Sequence, residues 1–216
     1  MTSISDLPDP DGSILSWDDD DPYGDFDVEG RTAEVIKHLA ALKLVTDDCL
    51  DITHGEGVFW RIVKPAGLVT NDIEKPADHN FDYTGQPPDG WLNRFETVCY
   101  DPRYKLNGTP TDSDRYGAHV PMKVADIKRS IISGMEFAMP CVAPGGTLIS
   151  KVQNQIANGS FHDLEFDNTV IAKANGLHVE ARCYMPHEPR PQRSQRRARN
   201  NLSIFTVYRK PKRARI

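Results

Sequence analysis

A chain of 216 residues has room for one domain with appendages, because a typical domain takes about 100–200 residues. Charged residues make up 26% and aromatic residues 8%, the composition of a soluble globular protein. The longest apolar runs fall well short of the ~18 residues of a membrane span, which argues against a transmembrane protein. The N-terminus is rich in Asp and Pro and lacks a basic patch followed by an apolar run, so neither a signal nor a transit peptide is expected and a cytoplasmic location follows.

The net charge of −5 conceals a strong asymmetry. Residues 1–30 carry ten acids and no Lys or Arg, whereas residues 182–216 carry eleven bases against one acid, Glu188. The first 30 residues, with few apolar anchors, cannot bury enough surface to offset the entropy of ordering and are predicted to be a disordered acidic tail. The folded domain is expected over residues 31–216, with a basic loop near 186–200.

From Arg31 the pattern changes. Val35, Ile36, Leu39, Leu42 and Val45 recur at steps of three and four, which predicts a helix over Thr32–Val45. Short apolar runs at Cys49–Ile52, Leu68–Asn71, Phe95–Tyr100, Thr147–Val152, Leu177–Ala181 and Ile204–Tyr208 are predicted strands. Between the third and fourth, Ile127, Ile131, Met135 and Ala138 define a helix over Val124–Val142. Between the fourth and fifth, Phe161–Asn175 is a further helix, capped by Gly176. Alternation of this kind implies an α/β fold with a Rossmann-like, doubly wound, mostly parallel sheet, whose ligands sit at the carboxyl ends of the strands. Cys49, Cys99, Cys141 and Cys183 are scattered without a CxxC pair and are predicted to be buried free thiols. The histidines form no set with metal-ligand spacing, so no catalytic metal is expected.

Three strand ends carry the chemistry. Cys49-Leu50-Asp51-Ile52 runs into Thr53-His54-Gly55-Glu56-Gly57, which puts glycines where a tight turn lets the backbone approach a ligand. The second strand ends at Asp72, some fifteen residues later, where a pair of ribose hydroxyls would be received. Together these favour a cofactor containing adenosine over a plain turn. The third strand stops at Asp101-Pro102-Arg103-Tyr104. Proline cannot continue a ladder, so the chain turns out there, carrying an acceptor and a ring toward the same space. That pairing suits transfer to an exocyclic amine of a flipped base, the Asp accepting amine hydrogens and the ring stacking.

On these residues the sequence resembles the class I S-adenosylmethionine-dependent methyltransferases, and among them the amino methyltransferases of nucleic acids. Their glycine-rich motif matches Asp51–Gly57, their second-strand acid Asp72, and their (Asn/Asp/Ser)-Pro-Pro-(Tyr/Phe/Trp) tetrapeptide residues 101–104. The continuation Lys105-Leu106-Asn107-Gly108-Thr109-Pro110 and the later Pro144-Gly145-Gly146-Thr147-Leu148-Ile149-Ser150-Lys151 are similar to small DNA methylases associated with phages and actinobacteria. The resemblance spans about residues 47–210. It implies S-adenosylmethionine as cofactor, held by Asp51, Thr53, Gly55, Gly57, Asp72 and Asp82, with Asp78 competing for the place of Asp82 at the adenine. It implies Asp101, Pro102 and Tyr104 as catalytic residues and the N6 amine of adenine or the N4 amine of cytosine in DNA as the target. The chain departs from the motif at Arg103, which stands where the second proline is expected.

The basic stretch containing Arg190, Arg193, Arg196, Arg197 and Arg199, with Arg103 and Lys105 at the mouth of the site, would contact phosphates and supply sequence-independent affinity. A solvated loop is the plainer alternative. Two other functions remain open at this level: an RNA or tRNA methyltransferase of the same fold, and a nucleic-acid-binding protein whose catalytic site has decayed at Arg103.

Overall fold

The computed structural model describes residues 2–3, 28–104, 106, 123–186 and 202–212. Strands are β1 (Thr2–Ser3), β2 (Cys49–Asp51), β3 (Val63–Lys64), β4 (Val69–Thr70), β5 (Phe95–Tyr100), β6 (Val142–Val152), β7 (Gln155–Ala157), β8 (Ser160–His162), β9 (His178–Pro186) and β10 (Leu202–Arg209). The helices are α1 (Val28–Ala41), α2 (Val124–Cys141) and α3 (Leu164–Ala174), with short 3-10 turns at Val58–Trp60 and Asp89–Trp91. No helix among the described residues is long and apolar enough to cross a membrane.

Six strands form the central sheet in the order β4-β2-β5-β6-β10-β9. β2 runs parallel to β4 and β5, and β5 parallel to β6. β10 is antiparallel to both of its neighbours, β6 and β9. The fold is the Rossmann-like one expected. The winding reverses at β2, which has β4 on one side and β5 on the other. Such a reversal opens a crevice at the carboxyl ends of the two diverging strands, where Asp51 and Asp101 lie.

Alternation along the strands divides the core between the two faces of the sheet. Leu50, Val98, Tyr100, Leu148 and Tyr208 pack with Met135, Phe137 and Ala138 of α2. Cys49, Cys99, Ile149, Phe205 and Val207 pack with Val35, Ile36 and Leu39 of α1 and with Phe59 and Trp60. A smaller cluster of Leu106, Ile127, Ile131, Val152, Ala157 and Leu164 lies beyond the end of β6. Cys49, Cys99 and Cys141 are buried and Cys183 is half-buried, all as free thiols.

The departures from the predicted elements have local causes. α1 starts at Val28, inside the stretch expected to be a tail, and stops at Ala41. Lys43 takes a left-handed φ of 59°, and the N–H groups of Lys43 and Leu44 close back on the carbonyls of Ala40 and Leu39 at 2.9 Å, a helix-ending motif. Leu44 and Val45 keep the helical spacing only because both are buried. The predicted helix over Phe161–Asn175 loses its first turn to the hairpin β7–β8, which reverses at Asn158 and Gly159, both with positive φ. α3 then starts on Asp163, whose side chain accepts the Phe166 N–H. Its end at Gly176 is the expected cap: Leu177 N–H reaches Ala172 O and Gly176 N–H reaches Lys173 O, both at 3.0 Å. β6 begins at Val142, five residues earlier than predicted, directly where α2 stops. There the Val142 N–H closes on Met139 O, and Lys210 Nζ donates to Val142 O at 2.7 Å and Met139 O at 3.3 Å, a cation at the negative end of the helix.

One close approach fixes α2 on β5. Tyr100 is fully buried, and its hydroxyl donates to Ile131 O at 3.0 Å. A Cβ on Gly134 would lie 2.0 Å from the Tyr100 hydroxyl oxygen. Gly134→Ala is therefore expected to destabilise the fold by about 1–3 kcal/mol through overpacking, lowering Tm by about 2–4 °C per kcal/mol. A thermal melt of the variant checks this, and a Tm unchanged within about 1 °C would show that the helix backs away at no cost.

Candidate active site

β2 delivers Asp51 to the sheet's carboxyl edge with only 3% exposure. Its carboxylate organises the turn that follows. Oδ1 accepts the Thr53 N–H at 3.1 Å, while Oδ2 accepts Trp60 Nε1–H at 2.7 Å and lies 3.3 Å from His54 Nδ1. Asp51 thus faces into the turn, and its effect on a ligand is through the loop it holds. Gly55 and Gly57 have φ of 57° and 68°, left-handed values that favour glycine. A Cβ at Gly55 would meet nothing closer than Thr53 O at 3.9 Å, so this part of the turn is an open cradle. The expected α-helix after the turn is only the 3-10 turn Val58–Trp60, because β3 and Pro65 follow within a few residues.

Asp72, just past β4, joins the cradle. Its Oδ2 accepts the Gly55 N–H at 2.8 Å, and its Oδ1 accepts the N–H groups of Glu74 and Lys75 at 2.8 and 2.7 Å. Asn71, fully buried, binds Ile52 O, Phe81 O and the Phe81 N–H, so it locks the ends of β2 and β4 to the segment that carries Phe81 and Asp82. Asp78 accepts from the backbone and hydroxyl of Thr70 at 2.9 and 2.8 Å, which lowers its carboxyl below the ordinary value; it serves to close β4. Asp82 is exposed, with Oδ1 on the N–H and hydroxyl of Thr84 at 2.8 Å.

At the end of β5, the Asp101 N–H donates to Thr53 Oγ1 at 2.7 Å. This bond joins the third strand end directly to the glycine turn. The Asp101 carboxylate accepts from Lys151 Nζ at 2.9 Å through Oδ2. Lys151 is 7% exposed, and its ammonium lies 5.7 Å from the ring centroids of both Phe59 and Phe205, where cation–π attraction offsets part of its desolvation. Burial raises the Asp101 carboxyl above the ordinary value, and the Lys151 ammonium opposes that rise.

Pro102 is buried. The Tyr104 ring packs with the cluster that includes Ile127 and Val152, and its hydroxyl lies 3.5 Å from Ser203 Oγ. Asp101 meets Lys151 and Tyr104 packs beside Val152, so both stand at the end of β6. Arg103 is half-buried, and its charge opposes the rise that burial imposes on the Tyr83 phenol. Lys105, Arg190, Arg193, Arg196, Arg197 and Arg199 lie outside the described residues, as does the acidic stretch 4–27.

Solved structures are similar to this chain. A candidate hemolysin from Streptococcus thermophilus is 13% identical, with a TM-score of 0.50 over 83% of this chain and 66% of its own. The N-methyltransferase NodS from Bradyrhizobium japonicum, in complex with S-adenosylhomocysteine, is 13% identical, with a TM-score of 0.46 over 90% of this chain and 94% of its own. A candidate DNA modification methylase from Thermus thermophilus, complexed with S-adenosylmethionine, is 14% identical, with a TM-score of 0.38 over 78% of this chain and 57% of its own. What is shared is the fold. The chain spans about two thirds of the length of the hemolysin and little more than half that of the methylase. No protein-family model matches the sequence, and no curated protein does.

Three residues of the site are given no role by the sequence. His54 reads as a loop residue, Asn71 as the last position of a strand, and Lys151 as the polar end of an apolar run. The bond from His54 to Asp51 raises the imidazole above its ordinary value, against partial burial. A histidine whose folded value is raised contributes stability that is full below the unfolded value and is lost as pH rises through the folded one. The stability difference between the wild type and His54→Gln should therefore be largest on the acidic side of neutrality and vanish toward alkaline pH. Urea melts over a pH series measure it, and a difference independent of pH would remove His54 from the hold on the turn.

Proposed function

We propose that this chain is an S-adenosylmethionine-dependent methyltransferase acting on an exocyclic amine of a nucleic-acid base, adenine N6 or cytosine N4 of DNA. The observation that carries the reading is the bond from the Asp101 N–H to Thr53 Oγ1. It sets the acceptor of the Asp-Pro motif at a fixed distance from the glycine cradle, so that a base and a cofactor bound at the two strand ends meet at the switch point. The residues fit an adenosyl cofactor. The open cradle at Gly55 admits close backbone approach, Asp72 lies at the turn where ribose hydroxyls would be received, and exposed Asp82 has a second oxygen for the adenine amine.

When bound, the cofactor supplies a methyl group on an electron-poor sulfur. The protein then has to align the amine with that methyl and exclude water, since an aligned amine attacks without a protein nucleophile. Asp101 accepts one amine hydrogen and the Pro102 carbonyl the other, which turns the nitrogen lone pair toward the methyl carbon. Tyr104 stacks on the base once it leaves the helix. Arg103, Lys105 and the arginines of the 190–199 stretch bind phosphates, giving affinity that falls steeply with salt.

Calorimetric titration with S-adenosylmethionine tests the cofactor, with saturable one-to-one binding expected; its absence from folded protein would overturn the reading. Mass spectrometry of nucleosides from a host expressing the protein tests the substrate, with N6-methyladenine or N4-methylcytosine expected in DNA and not in RNA. Asp101→Ala should cut the methyl yield by about 10²-fold or more while the cofactor still binds.

A further inference from the structure

We propose that Lys151 is a positioning residue of this site: by gripping Oδ2 of Asp101 it holds the carboxylate as the anion and reserves Oδ1 for the substrate amine. The inference rests on the amino-transfer reading above. It starts from an oddity of β6. Position 151 pairs with Phe205 across the ladder, and its side chain is surrounded by apolar groups of the α1 face, including the rings of Phe59 and Phe205. A methionine or leucine would suit those neighbours, and replacing a buried ion pair by apolar residues is often neutral or stabilising. Packing therefore gives no reason for a lysine here.

The reason lies at the ammonium. Lys151 Nζ meets one oxygen of Asp101, at 2.9 Å, and among the described residues Oδ1 takes no hydrogen bond. Thr53 of the turn after β2 fixes the Asp101 backbone and Lys151 of β6 fixes its carboxylate, so the two ends of the residue are held from different elements. Among the described residues, the titratable groups around Asp101 are Lys151 from β6, Asp51 from β2, and the Cys99 thiol and Tyr100 phenol from β5. Lys151 is the one cation among them, set against burial and the Asp51 charge, both of which favour the neutral acid.

The chemistry requires the anion. As the amine lone pair forms the N–C bond, the C–S bond breaks and its electron pair stays on sulfur. The nitrogen then holds one proton too many. That proton passes to Oδ1, leaving Asp101 as the neutral acid beside an unchanged Lys151 ammonium, and leaves from there to water. An Asp101 already protonated would donate to the amine and spoil the lone pair's alignment.

The test compares wild type with Lys151→Met, which removes charge and grip, and with Lys151→Gln, which keeps a donor to Oδ2 but no charge. Carbon-13 NMR of labelled aspartate, assigned with Asp101→Asn, follows the Asp101 titration directly. The expected result is a titration midpoint moved to higher pH in both variants, a kcat lower by about 10²-fold for Lys151→Met and less for Lys151→Gln, and an acidic limb of the pH–kcat profile moved in the same direction. The calorimetric Kd for S-adenosylmethionine and the KM for DNA should stay within about twofold. An unmoved Asp101 titration, or a loss confined to cofactor affinity, would overturn the proposal. Were the wild type to methylate no base at all, the amino-transfer reading would fall, and the titration alone would decide whether Lys151 governs Asp101. If Lys151→Met does not fold, Lys151→Gln carries the same comparison.

Discussion

The structure depends on a buried carboxylate, Asp51, that organises the turn after β2. Asp51 gathers the Thr53 N–H, the His54 imidazole and the Trp60 indole N–H onto two oxygens, and each of these partners is tied to something else. Trp60 anchors the turn in the α1-side core. Thr53 passes the constraint on to Asp101, and Gly55 passes it on to Asp72. The three strand ends that a sequence reading finds one by one are therefore a single hydrogen-bonded unit. A buried carboxylate is tolerable only when its lone pairs are used, and here the donors that use them are the parts of the site.

Periodicity made most of the scaffold legible. The runs at Cys49–Ile52 and Phe95–Tyr100 and the α2 pattern survive almost unchanged, because each is packed on both sides by residues of its own period. The turn at Asn158-Gly159 was also readable, as a dipeptide favouring positive φ at both positions, yet the apolar Phe161 and Leu164 beside it imitate the start of a helix. The end of α1 was not readable, since Lys43 in a left-handed conformation has no distinctive residue type and Leu44 and Val45 continue the apolar spacing for tertiary reasons. In the site, acids at strand ends announce themselves, whereas Asn71 and Lys151 do not. Their roles come from what the sheet order sets opposite them, and a pairing 50 residues apart leaves no local pattern.

Two half-buried carboxylates, Asp101 and Glu165, show how differently the same group is used. Glu165 of α3 takes the hydroxyls of Thr169 and Thr206 and the Arg182 guanidinium on one oxygen, and so clamps the helix to β9 and β10. Each of its donors comes from structure that needs clamping. Asp101 has a single side-chain partner and stands at the mouth of a crevice. The first joins parts of the scaffold to one another; the second stands at a crevice with its carboxyl raised by burial, and function is sought at such groups.

The strand order carries a consequence for how the chain reaches this state. β10 follows β9 in the chain but lies between β9 and β6. Until β10 arrives, β9 has no partner and β6 offers an open apolar edge on which the ring of Phe205 is later seated. Synthesis from the N-terminus therefore finishes the crevice early and the sheet late. An emerging chain would expose its two most adhesive edges for the time needed to make the last strand, a reason for the basic, soluble stretch that separates β9 from β10 quite apart from any ligand.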